Sequence, residues 1–117
     1  MPYLRLLEDL MRRVPGAQGA LLLDATGEVV VEVGARDHRH RLIGAYQGIA
    51  LATVQRASAR HAVGPIRHIH CRYAWGHVIL RPLRDGYYLV LSLAPDSKVG
   101  RGIYCSGSTQ DKINAEL

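Results

Sequence analysis

The spacing of hydrophobic and polar residues divides this chain into eight predicted elements. In some segments the apolar residues recur every three or four positions, which is the spacing of one helix face. In others they alternate with polar residues or run without interruption, which is typical of strands. Turns that contain glycine or proline separate the segments. The order is α-β-β-α-β-β-β-α, over residues 3–14, 19–24, 29–31, 41–60, 66–73, 77–83, 87–93 and 97–117.

Short turns connect the strands on either side of the long middle helix. Residues 24–27 end in Gly27, which tolerates a left-handed backbone, and Asp85–Gly86 is a strong signal for a two-residue hairpin turn. Trp75–Gly76 is expected to reverse the chain between the third and fourth strands. Because strands joined by short turns pair antiparallel, we predict a mostly antiparallel sheet and an α+β fold, in one domain over residues 1–117.

The last helix is predicted to be intrinsically weak. Gly100, Gly102 and Gly107 each cost a helix about 1 kcal/mol relative to alanine. Asp96 or Ser97 precedes its first turn, and we expect one of these side chains to cap the free amide groups there. The apolar side of this helix is expected to carry Val99, Ile103, Gln110, Ile113 and Leu117.

The middle helix has no charge on the face that points away from the predicted sheet. At about 100° per residue, Leu42 and Val54 lie on the side expected to pack on the sheet. On the opposite side small residues recur every four positions, and such a ridge lets two helix backbones approach closely. An uncharged patch marks an interaction surface, so we favour a second chain there over a helix buried within the monomer. The predicted dimer-interface residues on this helix are Gly44, Gln47, Gly48, Leu51, Ala52, Gln55 and Ala59.

Composition excludes several classes of protein. The chain has 117 residues, of which 48% are hydrophobic and 21% charged, and this excludes disorder, a collagen-like structure and a disulfide scaffold. The longest uncharged stretch, residues 42–55, has 14 residues, whereas a membrane span needs about 20. Charged residues in the first segment exclude a signal peptide. With two isolated cysteines, Cys71 and Cys105, we expect a cytoplasmic protein without a membrane span.

Basic residues cluster just before the middle helix. The net charge is +5, and 13 of the 15 lysines and arginines are arginine, which suits planar contacts with carboxylate or phosphate. Positive charge at a helix N-terminus opposes the macrodipole, so local stability does not explain this cluster. It is either a solvated loop or a surface for an acidic partner or a phosphate. The predicted partner-binding residues are Arg36, His38, Arg39 and Arg41.

The sequence contains no familiar catalytic or cofactor-binding motif. Walker, HExxH, CxxC and nucleophile-elbow sequences are absent, so we expect no enzyme activity and no cofactor. His68 and His70 share one face of the third strand, while Cys71 points to the other. Because a tetrahedral site needs three or four ligands, we expect no metal. Both histidines are either solvated or part of the dimer interface, and we assign them to the interface. Their titration near pH 6.5 makes a pH-sensitive surface the other expectation.

The order of elements and three segments together resemble the Roadblock/dynein-light-chain family. The segments are residues 14–27, the small-residue-rich middle helix, and Ser97–Gly102 at the start of the last helix. More narrowly, the chain looks like the bacterial members that regulate Ras-like GTPases, such as mutual gliding-motility protein B. The resemblance implies a five-stranded antiparallel sheet with helices on both faces, related to profilin. It also implies a homodimer with middle helices side by side and third strands paired.

Three functions therefore stay open at this point. The first is a non-catalytic homodimeric regulator or scaffold that binds a Ras-like small GTPase, with stimulated GTP hydrolysis as one outcome. The second is a small-ligand sensor, since α+β domains of this size often enclose a pocket. The third is a nucleic-acid-binding module, which the charge alone suggests. The aromatic residues do not form the stacking motif of RNA-binding sheets, so nucleic acid is the least favoured partner.

Overall fold

The computed structural model describes residues 2–34, 51, 54–57, 59–60 and 64–117. Residues 51, 54–57, 59 and 60 are helical and are called here the central helical segment. Within the described residues, no helix is both long and apolar enough to cross a membrane. The other elements are an N-terminal helix (Pro2–Arg13), β1 (Ala17–Leu23), β2 (Val29–Gly34), β3 (Ile69–Tyr73), β4 (Gly76–Pro82), β5 (Tyr88–Leu93) and a C-terminal helix (Val99–Glu116).

The five strands form one antiparallel sheet in the order β2-β1-β5-β4-β3. Strand β5 falls within the strand predicted over residues 87–93, and all six of its residues are buried. It lies between β1 and β4, while β2 and β3 form the edges of the described sheet. The predicted α+β fold with a five-stranded antiparallel sheet is confirmed.

Each face of the sheet carries its own apolar layer. On one face the two terminal helices pack on the sheet, with Leu7, Leu10 and Ile113 fully buried against strand residues such as Leu22. On the other face Leu51 of the central helical segment packs against strand residues of the second cluster. Helices therefore cover both faces, and side chains that alternate along each strand enter the two layers in turn.

Two of the predicted turns form as expected. Between β1 and β2, Oδ1 of Asp24 accepts hydrogen bonds from the hydroxyl and backbone N–H of Thr26 and from the N–H of Glu28. These bonds lower the pKa of Asp24, and the bond from the Thr26 hydroxyl has the largest effect. Between β4 and β5, Asp85 and Gly86 have φ of 60° and 81°, the pattern of the type I′ turn that an Asp-Gly pair favours. The β3–β4 turn falls at residues 74–75, one residue earlier than predicted.

The capping prediction for the C-terminal helix is wrong. The helix begins at Val99, its N-cap residue is Lys98, and no side chain caps it. The backbone N–H of Ser97 bonds to the carbonyl of Ala94 at 3.1 Å, which places Ser97 in a turn one residue too early to cap. Its hydroxyl is buried without a hydrogen-bond partner in the described part of the chain. The buried side of this helix consists of Gly102, Cys105, Ser106, Thr109 and Ile113.

Candidate functional site: the β3 edge and the adjacent groove

Strand β3 presents two different faces at the edge of the sheet. Ile69 lies opposite Leu80 and packs in the layer beneath the central helical segment, as does Tyr73. His70 lies opposite Ile79, which belongs to the layer beneath the terminal helices. The predicted alternation is confirmed over residues 69–73, whereas His68, predicted to lie on this strand, precedes it. The His70 side of β3 lies on the same face as the C-terminal helix.

His70 forms a hydrogen-bonded pair with His77 of β4. The Nε2 atom of His70 lies 3.0 Å from Nδ1 of His77, and Nε2 of His77 lies 3.2 Å from the carbonyl oxygen of Pro95. That carbonyl only accepts, so His77 donates from Nε2. With Nε2 as the donor, Nδ1 of His77 is the acceptor of the hydrogen on Nε2 of His70. This series of hydrogen bonds links the exposed edge residue His70 to His77, which is 6% exposed.

Two histidines on this side of the edge favour their neutral forms. The pKa of His70 is lowered by burial first, then by the neighbouring His77 and Arg72. The pKa of His68 is lowered by burial first, then by Arg81 and His70. Among the described residues, no three histidine, cysteine or acidic side chains come together as a metal site would need. The edge therefore presents neutral histidine rings beside the positive charges of Arg72 and Arg81.

Arg81 of β4 is a buried cation that the sequence pattern did not indicate. It is 6% exposed, and its Nε donates to the Ser106 hydroxyl at 3.0 Å. Its Nη2 donates to the carbonyl of Ile103 at 2.6 Å, and its Nη1 donates to the carbonyl of Arg67 at 3.2 Å and to Oε1 of Gln110 at 3.3 Å. Burial is the main cause that lowers the pKa of Arg81. The sequence signal that could have indicated its burial is its spacing. Residue 81 lies two positions after the core residue Ile79 and therefore on the same face of β4.

An open groove of about 390 Å³ lies above Arg81, between the C-terminal helix and the segment that leads into β3. This groove, called here the Arg81 groove, differs from an enclosed ligand pocket because much of it faces solvent. Its lining combines basic side chains from the strand side with aromatic, amide and acidic side chains from the helix. The residues used below are Arg67, His68, Arg81, Tyr104, Gln110 and Asp111.

The structure corrects the predicted orientation of the middle helix at two positions. Leu51, assigned to the dimer interface, is 4% exposed and packs on the sheet, whereas Val54, assigned to the sheet side, is 43% exposed. Both sides of this helix are uncharged over residues 42–55, so hydrophobicity alone could not decide which side faces the sheet. Gln55 and Ala59 are exposed, as a contact surface requires.

Most of the predicted interaction residues before and on the middle helix lie outside the described residues. These are the helix positions Gly44, Gln47, Gly48 and Ala52 and the basic positions Arg36, His38, Arg39 and Arg41. The edge histidines His68 and His70 lie within the described part. The structure therefore shows where His68 and His70 lie, and both the dimer interface and the basic cluster stay predictions.

Comparison with known proteins identifies the fold. No family model matches the chain, and no curated protein matches it. A Roadblock/LC7 domain from Streptomyces avermitilis has a TM-score of 0.85 at 17% identity, over 97% of this chain and 96% of that one. Myxococcus xanthus MglB has a TM-score of 0.86 at 10% identity, over 98% and 94% of the two chains. An MglB with a tetrameric arrangement has a TM-score of 0.85 at 15% identity, over 97% and 86%. The expected resemblance is confirmed at the level of structure: the chain has the Roadblock/LC7 fold.

Proposed function

We propose that this protein is a non-catalytic, homodimeric regulator or scaffold that binds a Ras-like small GTPase. The observation that carries the proposal is the likeness to MglB, which extends over 98% of the chain. The grooves described on this chain are open to solvent, which does not favour the small-ligand sensor. Nothing in the described surface favours the nucleic-acid module beyond its positive charge.

The β3 edge supports self-association. Within the described sheet β3 is hydrogen-bonded to β4 alone, and an exposed strand edge is a template for another strand. A second copy related by a two-fold axis pairs the same strand with itself, which makes the contact self-complementary. An MglB is known with a tetrameric arrangement. In the proposed dimer the two β3 strands join the sheets, and the middle helices lie side by side through residues 44, 47, 48, 52, 55 and 59.

The basic cluster is the proposed contact with the GTPase. Arg36, His38, Arg39 and Arg41 precede the middle helix, so a dimer carries one cluster on each side of its paired helices. Charges on such a surface mainly increase the association rate and select the partner. The regulator supplies no nucleotide site of its own, and any effect on hydrolysis acts through the GTPase's own residues.

The test measures association with Ras-like GTPases from the same genome, loaded with GTP and immobilised for interferometry. We expect Arg36→Glu combined with Arg39→Glu to leave the fold and the dimer intact. We expect it to weaken association most at low salt, because salt screens charges on exposed surfaces. The matched control is Arg5→Glu combined with Lys112→Glu, which reverses two exposed charges on the terminal helices.

Each outcome of this test bears on one part of the proposal. Association that is unchanged in the arginine variant at both low and physiological salt refutes the basic cluster as the contact. An equal loss in the control variant shows a dependence on net charge only. Binding of duplex DNA without binding of any GTPase overturns the proposed function. Phosphate release from the GTPase, followed in the same samples, separates an accelerator from a tether.

A further inference from the structure

The positive charge of Arg81 has no carboxylate partner among the described residues. Its hydrogen bonds go to a hydroxyl, two backbone carbonyls and a side-chain amide, all of which are neutral. The described ion pairs join Asp9 to Arg12 and to Arg13, on the N-terminal helix. Buried charged side chains are nearly always paired with an opposite charge. Within the part of the chain that the structure describes, this buried positive charge is therefore not neutralised by an acidic side chain.

The surroundings of Arg81 add to this charge. Arg67 and His68 line the same groove, and the charge of Arg67 lowers the pKa of Arg81 further. Asp111 on the groove wall acts in the opposite direction but does not come within ion-pair distance. Asp111 is exposed, so solvent screens much of its effect. The two positive charges of Arg81 and Arg67 thus face one carboxylate across the groove, with the neutral ring of His68 beside them.

The groove gives a ligand access to the guanidinium. Arginine has five N–H donors, and the four hydrogen bonds of Arg81 leave one hydrogen on Nη2. A Cβ atom at Gly107 would lie 3.1 Å from that Nη2, so the glycine keeps the helix side of the guanidinium clear of a side chain. Tyr104 stands at the rim with 69% of its surface exposed. A cation below and an aromatic ring above suit a ligand that is acidic and has flanking apolar contacts.

We propose that the Arg81 groove binds an acidic segment of a partner protein, with one carboxylate placed between Arg81 and Arg67. A carboxylate there accepts charge-assisted hydrogen bonds from a guanidinium whose orientation four other bonds already fix. The open shape favours a chain segment over a small free anion, because small-molecule sites bury most of their ligand. The groove lies within one chain, so this inference does not depend on the proposed dimer or GTPase.

The experiment uses a fluorescein-labelled peptide of alternating glutamate and glycine, followed by fluorescence anisotropy at low salt. We expect Arg67→Glu to weaken binding about tenfold, because it places a negative charge beside the carboxylate site. Asp111→Asn removes the competing carboxylate and is expected to tighten binding about threefold. Lys112→Glu is the matched control, since Lys112 is exposed on the same helix and faces the N-terminal helix. Light scattering on each variant confirms an unchanged oligomeric state.

The two groove variants are expected to change peptide affinity in opposite directions. A loss of folding in one variant therefore does not decide the result. Weaker binding by Arg67→Glu with tighter binding by Asp111→Asn supports the inference. Equal weakening by Arg67→Glu and Lys112→Glu overturns it, because net charge then explains the binding. Absence of peptide binding at millimolar concentration overturns it as well. Displacement by inorganic phosphate at constant ionic strength and below millimolar concentration also overturns it, because the groove is then a small-anion site.

Discussion

At the scale of single residues, the edge of the sheet holds histidines in an environment that disfavours their charge. His70 is flanked by Arg72 and hydrogen-bonded to His77, and His68 lies near Arg81. Both pKa values are lowered from the ordinary 6.5. The unfolded chain therefore binds protons more readily than the folded chain as the solution becomes acidic. Folding stability is linked to pH through this difference.

We expect the free energy of unfolding to be highest above the ordinary histidine pKa. The free energy of unfolding then falls as the pH drops below 6.5 and through the lower folded-state pKa values of His68 and His70. Urea denaturation at several pH values between about 8 and 5 measures this slope. The double variant His68→Gln with His70→Gln is expected to flatten it, and glutamine at position 70 keeps a donor for His77.

The control for this pH series is Asp24→Asn. The pKa of Asp24 is lowered from 3.8, so its contribution is present above that value and is lost only in more acidic solution. Asp24→Asn is therefore expected to shift the whole curve without changing its slope in the histidine range. A double histidine variant with the slope of the unmodified protein contradicts the assignment to these two residues.

At the scale of elements, the C-terminal helix shows why a weak helix sequence is retained. A Cβ atom at Gly102 would lie 3.0 Å from Cδ1 of both Ile79 and Leu93, which is tighter than nearly all such contacts. This glycine lets the helix backbone approach the sheet closely. At Gly100 a Cβ atom would meet nothing within 4 Å. The low helix propensity of Gly102 thus accompanies close packing, whereas the structure gives no packing reason for Gly100.

Valine at these two positions is expected to have opposite effects. Gly102→Val overfills the contact between helix and sheet and lowers the free energy of unfolding by about 1–3 kcal/mol. Gly100→Val meets open space, and its better helix propensity raises the free energy of unfolding by about 0.5 kcal/mol. Urea denaturation of both variants measures the difference. Equal effects at the two positions contradict the close approach of the helix at residue 102.

At the scale of the whole molecule, the described sheet is covered on both faces and open along β3. Apolar layers occupy both faces, so strand pairing at the edge extends the sheet without rearranging either layer. The same edge carries His70 and Arg72, and in the proposed dimer the two-fold axis brings each of them close to its own copy. The neutral state of His70 reduces the repulsion at such an interface. Self-association through β3 is consistent with how this molecule distributes its burial.

We expect the protein to be a dimer in solution, as measured by light scattering at high concentration. Gly48→Glu brings two negative charges together where the middle helices meet in the proposed dimer. It is expected to give a folded chain that is monomeric or that aggregates. The matched control is Gly100→Glu, the same replacement at an exposed helical glycine with open space around it. A monomeric unmodified protein refutes the dimer, and monomers in both variants show a nonspecific effect of the glutamate.

Local patterns predicted the elements because their causes are local. The apolar segment of β5 and the turn at Asp85–Gly86 were readable because burial and left-handed backbone select residue types directly. The sequence did not show which side of the middle helix faces the sheet, because both sides are uncharged. Leu51 was therefore placed on the wrong side.

The chemistry of the edge depends on residues that are distant along the chain. His70 meets His77 only because the register of β3 and β4 brings them together. Arg81 bonds to Ser106, which lies on another element. No sequence pattern specifies such contacts before the packing of the elements is known. The sequence therefore pointed to His68 and His70, and not to His77 or to the arginine beneath the groove.

The place of β5 in the sheet has a consequence for the order in which the fold can be completed. Strands β1 and β2 form one hairpin, β3 and β4 form another, and β5 is the strand that lies between the two in the described sheet. Because β5 follows both hairpins along the chain, a ribosome must release most of the chain before the halves can join. Pairing of β1 with β5 also closes a long loop, and such closure slows folding. Until then each hairpin has an edge without its final neighbour, so nascent chains are exposed to wrong pairing.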